Sequence, residues 1–195
     1  MENYNLFIVL TRTNTVISRL IGFSTGDDYT HAAISLDKEL KNMYSFGRKY
    51  TYNPFIGRFK KEIISQGAYR FGESLPGIII KIETAKEQYE KALNLLEEFI
   101  CQPGLYKYNY RGLFYGLTNK ASNSTNRFLC SEFVYYILYN SGIVDFEIPG
   151  NLVRPQHFLE LKGEVVFQGD LRRAEFLSYV FDGILLEERK IFRYY

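Results

Sequence analysis

The sequence is sparing with cysteine, histidine and tryptophan. Its 195 residues include two cysteines, two histidines and no tryptophan. Two cysteines cannot form the disulfide framework that staples small secreted domains. The chain also lacks Cys-x-x-Cys, His-Glu-x-x-His and glycine-rich phosphate-loop motifs, which hold metals and nucleotides in other proteins. We therefore expect a protein that works without a metal or an organic cofactor.

Long apolar runs are missing as well. The first apolar run, Leu6 to Leu10, has five residues, whereas a helix needs about 18 to cross a bilayer. The residues before it include an acidic Glu2, while a signal peptide begins with basic residues. These absences predict a cytoplasmic protein with reduced thiols and no transmembrane segment.

The overall composition is that of an ordinary globular protein. Hydrophobic residues make up 46% of the chain and charged residues 24%, with a net charge of +2. A chain of this size most simply forms one domain, here residues 1–195. The small net charge argues against a nucleic-acid partner. Basic and aromatic residues do interleave between Arg48 and Lys61, so nucleic-acid binding stays open as a less favoured alternative.

Apolar periodicity predicts strands and helices in an irregular order. Strands are predicted at 6–11, 29–36, 43–48, 77–83 and 164–167, with a further extended piece near 62–65. Helices are predicted after residue 84, at 111–117, and from Cys130 to just before Gly142. Because strands and helices do not alternate regularly, the pattern predicts an α+β fold.

Cys130 falls in the first turn of its predicted helix. Unpaired backbone N–H groups and the helix dipole favour a thiolate there and lower a cysteine pKa from about 8.5 into the range of about 3.5–7.5. Cys130 is therefore a candidate nucleophile. It also shares an apolar stripe with Phe133 and Val134, so simple core packing is the alternative. Cys101, at the end of an earlier helix, is predicted to be a packing residue.

A thiolate nucleophile needs a partner that transfers protons. His31 lies near the start of the strand predicted at 29–36, which follows a polar loop, and is the candidate base, with a half-buried structural histidine as the alternative. Ser45 has the same strand parity as His31 and can orient its ring. Asp37 and Glu62 are carboxylates that the fold could bring close instead. The second histidine, His157, is predicted to be a surface or packing residue.

Two short motifs resemble the circularly permuted branch of the NlpC-type papain-like cysteine hydrolase superfamily. They are the strand THAAIS, which starts at Thr30, and the helix start FLCSEFV, which starts at Phe128. In that branch the histidine precedes the cysteine. The strand MYSFGR carries Ser45 where the superfamily usually has His, Glu, Asn or Gln.

The resemblance implies a small antiparallel sheet or open barrel packed against helices. It further implies that Cys130 attacks a carbonyl, His31 shuttles the proton and Ser45 orients His31. The reaction would be hydrolysis or acyl transfer at an amide or ester bond through an acyl-thioester. The implied substrate is a small peptide, glycopeptide or acyl compound, and above all a peptide of cell-wall type. Because serine is a weak orienting group, a non-catalytic ligand-binding module on the same fold is the alternative.

Overall fold

The computed structural model describes residues 4–12, 26–48, 57–64, 66, 69, 73–117, 120–121 and 124–176. Within these residues, eight strands and three α-helices form a mixed α+β fold. None of these helices combines the length and the apolar character that a bilayer crossing requires. The predicted α+β class is therefore confirmed.

The longer strands and the helices mostly follow the apolar pattern of the sequence. The extended piece predicted near 62–65 lies instead at Gly57–Glu62, and the two-residue strands Lys107–Tyr108 and Arg127–Phe128 were not predicted. The strands are β1 (Tyr4–Thr11), β2 (His31–Ser35), β3 (Met43–Arg48), β4 (Gly57–Glu62), β5 (Pro76–Thr84), β6 (Lys107–Tyr108), β7 (Arg127–Phe128) and β8 (Glu164–Asp170). The helices are α1 (Lys86–Cys101), α2 (Tyr110–Leu117) and α3 (Cys130–Asn140). Helix α3 ends where Gly142 adopts a positive φ of 72°, a conformation that glycine tolerates best.

All eight strands belong to one open, half-barrel sheet in the order β7-β6-β4-β3-β2-β1-β5-β8. Neighbouring strands are antiparallel except for the short β6–β7 pair. Strand β1 is the sixth strand in this order, lies between β2 and β5, and pairs along its whole length with β5. The central strands therefore form a rigid platform, and β2 is anchored directly to it.

The sheet is buried on both faces. On the front face, Leu6, Ile8 and Leu10 pack with residues of α1 and α3. On the back face, Phe7 and Val9 pack in a second cluster. Burial on both faces explains why β1 reads as a continuous apolar run rather than an alternating one.

Aromatic rings fill the space between the front face and the helices. Phe133 of α3 lies 5.4 Å from Phe46 of β3 and 5.0 Å from Phe99 of α1, measured between ring centroids. Edge-on ring pairs at such distances add about 0.5–1.5 kcal/mol each beyond the burial of their surface. This cluster fixes α3 against the sheet and thereby sets the position of the first residue of the helix.

Candidate functional site

Helix α3 starts at Cys130, and its first turn is tied to the surrounding chain. The Glu132 carboxylate accepts hydrogen bonds from the Leu129 backbone N–H and from Asn109 Nδ2, both at 3.0 Å. The Ser131 hydroxyl donates to the Val153 carbonyl at 2.5 Å. These bonds satisfy groups that a helix start leaves unpaired and hold the thiol in one place.

His31 is the first residue of β2, and a pair of ionic contacts fixes the chain just before it. Arg12 Nη2 lies 2.8 Å from Asp28 Oδ1, and Arg154 Nη1 lies 3.1 Å from Asp27 Oδ1. The segment that enters β2 is thus held from two sides. The backbone position of His31 follows from this.

Strands β2 and β3 diverge at the end where His31 lies. They are paired only at Ile34–Tyr44 and Ser35–Met43. His31 pairs with Thr11 and has the parity of the back face, whereas α3 covers the front face. The opening between the two strands lets the start of α3 reach the His31 ring from the other side of the sheet.

The Cys130 thiol lies near the His31 ring and near the backbone N–H groups of Ala32 and Ser131. Burial by itself raises the pKa of the thiol, but the charge of His31 and the polar hydrogens of these groups outweigh burial and lower the pKa below its ordinary value. The thiolate form of Cys130 is therefore more favoured than that of an ordinary cysteine.

The His31 ring lies between two anionic groups. Burial by itself lowers the pKa of His31, but the charges of Glu62 and Cys130, and hydrogen bonds to both, raise it to about 10. Nε2 of the ring lies 3.2 Å from Glu62 Oε2, which leaves Nδ1 for the sulfur. The arrangement favours an ion pair of imidazolium and thiolate, with Glu62 behind the imidazolium.

Glu62 is the residue that orients His31. It is 3% exposed, and its Oε1 lies 3.1 Å from Lys60 Nζ. The Tyr69 hydroxyl donates a hydrogen bond to Oε2. Burial by itself raises the pKa of Glu62, but His31, Lys60 and Tyr69 lower it far below its ordinary range. The carboxylate is therefore ionised across the whole physiological range of pH.

Two members of this site, Lys60 and Tyr69, were not predicted from the sequence. Lys60 precedes Glu62 by two residues on the same strand, and strand parity places both on one face. Tyr69 packs edge-on against His31, with 6.1 Å between ring centroids. Its backbone carbonyl accepts a hydrogen bond from Arg172 Nε at 3.1 Å. No local sequence pattern indicates that Tyr69 lies beside His31, because the contact that holds it comes from Arg172, about a hundred residues away along the chain.

Ser45 does not occupy the position expected for it. It is fully buried, and within the described part of the chain its hydroxyl has no hydrogen-bond partner. Its strand parity is right, but the pairing of Ile34 with Tyr44 sets Ser45 level with Ala33. That is about 7 Å along the strand from His31. The expectation that Ser45 orients His31 is therefore wrong, and Glu62 takes that position.

Substituting Ser45 with alanine tests this correction. We expect the free energy of unfolding to stay the same or to rise by up to about 1 kcal/mol, because a buried hydroxyl without a partner is removed. The rate at which iodoacetamide modifies Cys130 should stay unchanged. If the rate instead fell about tenfold or more, which corresponds to about 1.4 kcal/mol, Ser45 would have to contribute to the reactivity of Cys130.

The other residues considered in the sequence lie elsewhere. Asp37 caps a turn, where its carboxylate accepts the backbone N–H groups of Lys41 and Asn42 at 2.8 and 2.7 Å. His157 Nδ1 accepts the Arg154 backbone N–H at 3.1 Å, which confirms the predicted packing role.

The basic, aromatic stretch between Arg48 and Lys61 falls mostly on residues 49–56, outside the described residues. Where it is described, Lys61 Nζ donates to Asn42 Oδ1 at 2.9 Å, and Lys60 pairs with Glu62 as above. Among all the residues that the structure describes, no group of three or more His, Cys, Asp or Glu side chains could hold a metal ion.

No protein-family model, curated protein or solved structure matches this chain.

Proposed function

We propose that this protein is a cysteine-nucleophile hydrolase or acyltransferase that acts through an acyl-thioester. One observation carries the proposal: the buried Cys130 thiol lies beside a His31 ring that lowers its pKa, and the far side of that ring is held by the buried carboxylate of Glu62. A nucleophile, a proton carrier and an orienting acid in a chain of contacts are the parts that such chemistry needs.

The proposed reaction has two steps. In the first, the Cys130 thiolate attacks the substrate carbonyl and forms a carbon–sulfur bond, and the His31 imidazolium gives its proton to the leaving amine or alcohol. In the second, neutral His31 takes a proton from water or another acceptor, which attacks the thioester. The carbon–sulfur bond then breaks and the thiolate returns. The backbone N–H of Cys130, at a helix start, is the proposed donor to the oxyanion.

The motif resemblance adds the finer parts of the proposal. We propose a permuted papain-like arrangement, in which the histidine strand precedes the cysteine helix in the chain. The proposed substrate is an amide or ester of a small peptide, glycopeptide or acyl compound, and above all a peptide of cell-wall type. Glu62 strengthens the proposal, because glutamate is among the residues that the superfamily places third. A glutamate at the third position also argues against the non-catalytic binding module, which was motivated by a serine there.

Iodoacetamide labelling tests the nucleophile directly. We expect Cys130 to react faster than Cys101 at pH 7, although Cys101 is exposed and Cys130 is only 8% exposed. Accessibility by itself predicts the opposite order, so the comparison isolates the effect of the lowered pKa. The pH profile of the rate at Cys130 should have its midpoint below that of an ordinary thiol. Peptide mapping by mass spectrometry follows both thiols in one sample.

An activated ester tests the chemistry itself. With p-nitrophenyl acetate we expect a burst of p-nitrophenol and an acetyl group on Cys130, both absent in Cys130→Ala and retained in Cys101→Ala. Equal, slow labelling of both cysteines, with no acetyl-enzyme, would favour a binding module and sink the proposal.

A further inference from the structure

A second feature, separate from the thiol site, is a cavity of about 530 Å³ on the outer side of α3. Three tyrosines of that helix contribute to its wall: Tyr135, Tyr136 and Tyr139. The Tyr135 and Tyr139 rings lie 5.6 Å apart at an angle of 46°. Neither Cys130 nor His31 lines this space, which we call the tyrosine cavity.

The charged groups of the tyrosine cavity are all acidic. Glu132, Asp145 and Glu147 line it, and no lysine or arginine is among its described lining residues. Tyrosine faces and carboxylates both attract positive charge. A ligand that satisfied both at once would be a cation with apolar bulk.

Glu132 contributes a largely buried carboxylate to the wall of this cavity. The residue is 7% exposed, and Asn109 Nδ2 and the Leu129 backbone N–H donate hydrogen bonds to its Oε2. These bonds hold the carboxylate in a fixed position. A carboxylate in such a low-dielectric setting attracts a cation more strongly than one in bulk water.

The far wall of the cavity is held in place by its own hydrogen bonds. Asp145 Oδ1 accepts the Tyr135 hydroxyl at 3.0 Å and the Glu147 backbone N–H at 2.7 Å. Tyr135 also stacks on Phe146, with ring centroids 5.3 Å apart. A preformed wall loses little entropy when a ligand binds.

We propose that the tyrosine cavity binds an organic cation, with a substituted ammonium group against the tyrosine rings and the carboxylates around it. Quaternary ammonium groups suit such a site, since they combine full charge with methyl surface and need no hydrogen-bond acceptor. The proposal goes beyond the acyl-transfer chemistry and does not depend on it.

The test is a titration of the full chain with choline, followed by NMR or calorimetry. The control ligand is 3,3-dimethyl-1-butanol, which has the shape of choline but no charge. We expect choline to bind with a Kd of about 1 mM or tighter and the neutral alcohol to bind at least about tenfold more weakly. No choline binding at about 10 mM, or equal binding of the two ligands, would overturn the proposal.

Matched variants locate the binding. Tyr139→Leu keeps an apolar side chain at this exposed position but removes the ring, and Glu147→Gln removes only a charge. Each should weaken choline binding about fivefold to tenfold. Glu160→Gln is the control, because Glu160 lines a neighbouring cavity and not this one. Choline binding that all three variants leave unchanged would place the ligand elsewhere and refute the site. The same affinity in Cys130→Ala is expected, whatever the outcome for the thiol.

Discussion

Replacing His31 with asparagine is expected to slow alkylation of Cys130 at pH 7 by about 100-fold. The variant removes the positive charge and the ring hydrogen bond that lower the pKa of the thiol. Burial remains, and burial by itself raises that pKa, so the thiol should return at least to its ordinary value. With a pKa of about 9, only about 1% of the thiol is ionised at pH 7.

The pH profile distinguishes this effect from a simple loss of structure. The midpoint of the labelling rate should lie at a lower pH in the native protein than in His31→Asn, because His31 lowers the pKa of the thiol. His157→Asn is the matched control, because it changes the other histidine of the chain. Cys101, labelled in the same sample, reports on the fold. If the His31 variant were labelled at the same rate as the native protein, His31 would not be the group that lowers the pKa of the Cys130 thiol.

Replacing Glu62 with glutamine is expected to lower the free energy of unfolding by about 3–5 kcal/mol. Glu62 and His31 form a buried ion pair at 3.2 Å, and removal of Glu62 leaves the buried His31 ring without the carboxylate on its Nε2 side. The amide can still accept the hydrogen bond from Tyr69, so the change acts mainly through charge. Urea denaturation at several pH values measures the effect.

The two pKa shifts set the pH dependence of this contribution. Because the pKa of Glu62 is lowered on folding, its contribution is present above its unfolded value of about 4.3 and is lost as the pH falls toward the folded value. Because the pKa of His31 is raised to about 10, its contribution is full below about 6.5 and is lost as the pH rises through about 10. In Glu62→Gln the alkaline loss of stability should begin at a lower pH.

Glu83→Gln is the control for this variant. Glu83 also pairs with a lysine, Lys81, at 3.0 Å, but its side chain is 69% exposed. Exposed ion pairs contribute about 0–1 kcal/mol, so this substitution should have a small effect. If the two variants lost equal stability, the buried pair would not contribute as proposed.

Much of the fold could be predicted because it depends on local patterns. The predicted strand at 43–48 is β3, and the helix predicted from Cys130 begins at that residue. Periods of 2 and 3.6 residues identify the buried face of each element without knowledge of its neighbours. The same reasoning placed His31 on a strand that follows a polar loop and Cys130 in a first helical turn.

From the sequence, the residue that orients His31 could only be narrowed to a few candidates. Ser45 and Glu62 both have the parity of the back face, and parity does not say how far along a strand a partner lies. The choice depends on the register between β2 and β3 and on where that ladder ends. The register between two strands depends on both of them, so it could not be predicted from the sequence of either strand by itself.

The sequence by itself determined two placements: a thiol in the first turn of a helix, where the helix dipole favours its anionic form, and an imidazole near the start of a strand. Tertiary structure decided that the two meet, that Glu62 stands behind the imidazole, and that Tyr69 and Lys60 hold this acid. The physical reason is that the periodicity of a helix or strand depends only on residues that are close along the chain. The charges that shift these pKa values act between segments that only packing brings within a few ångströms.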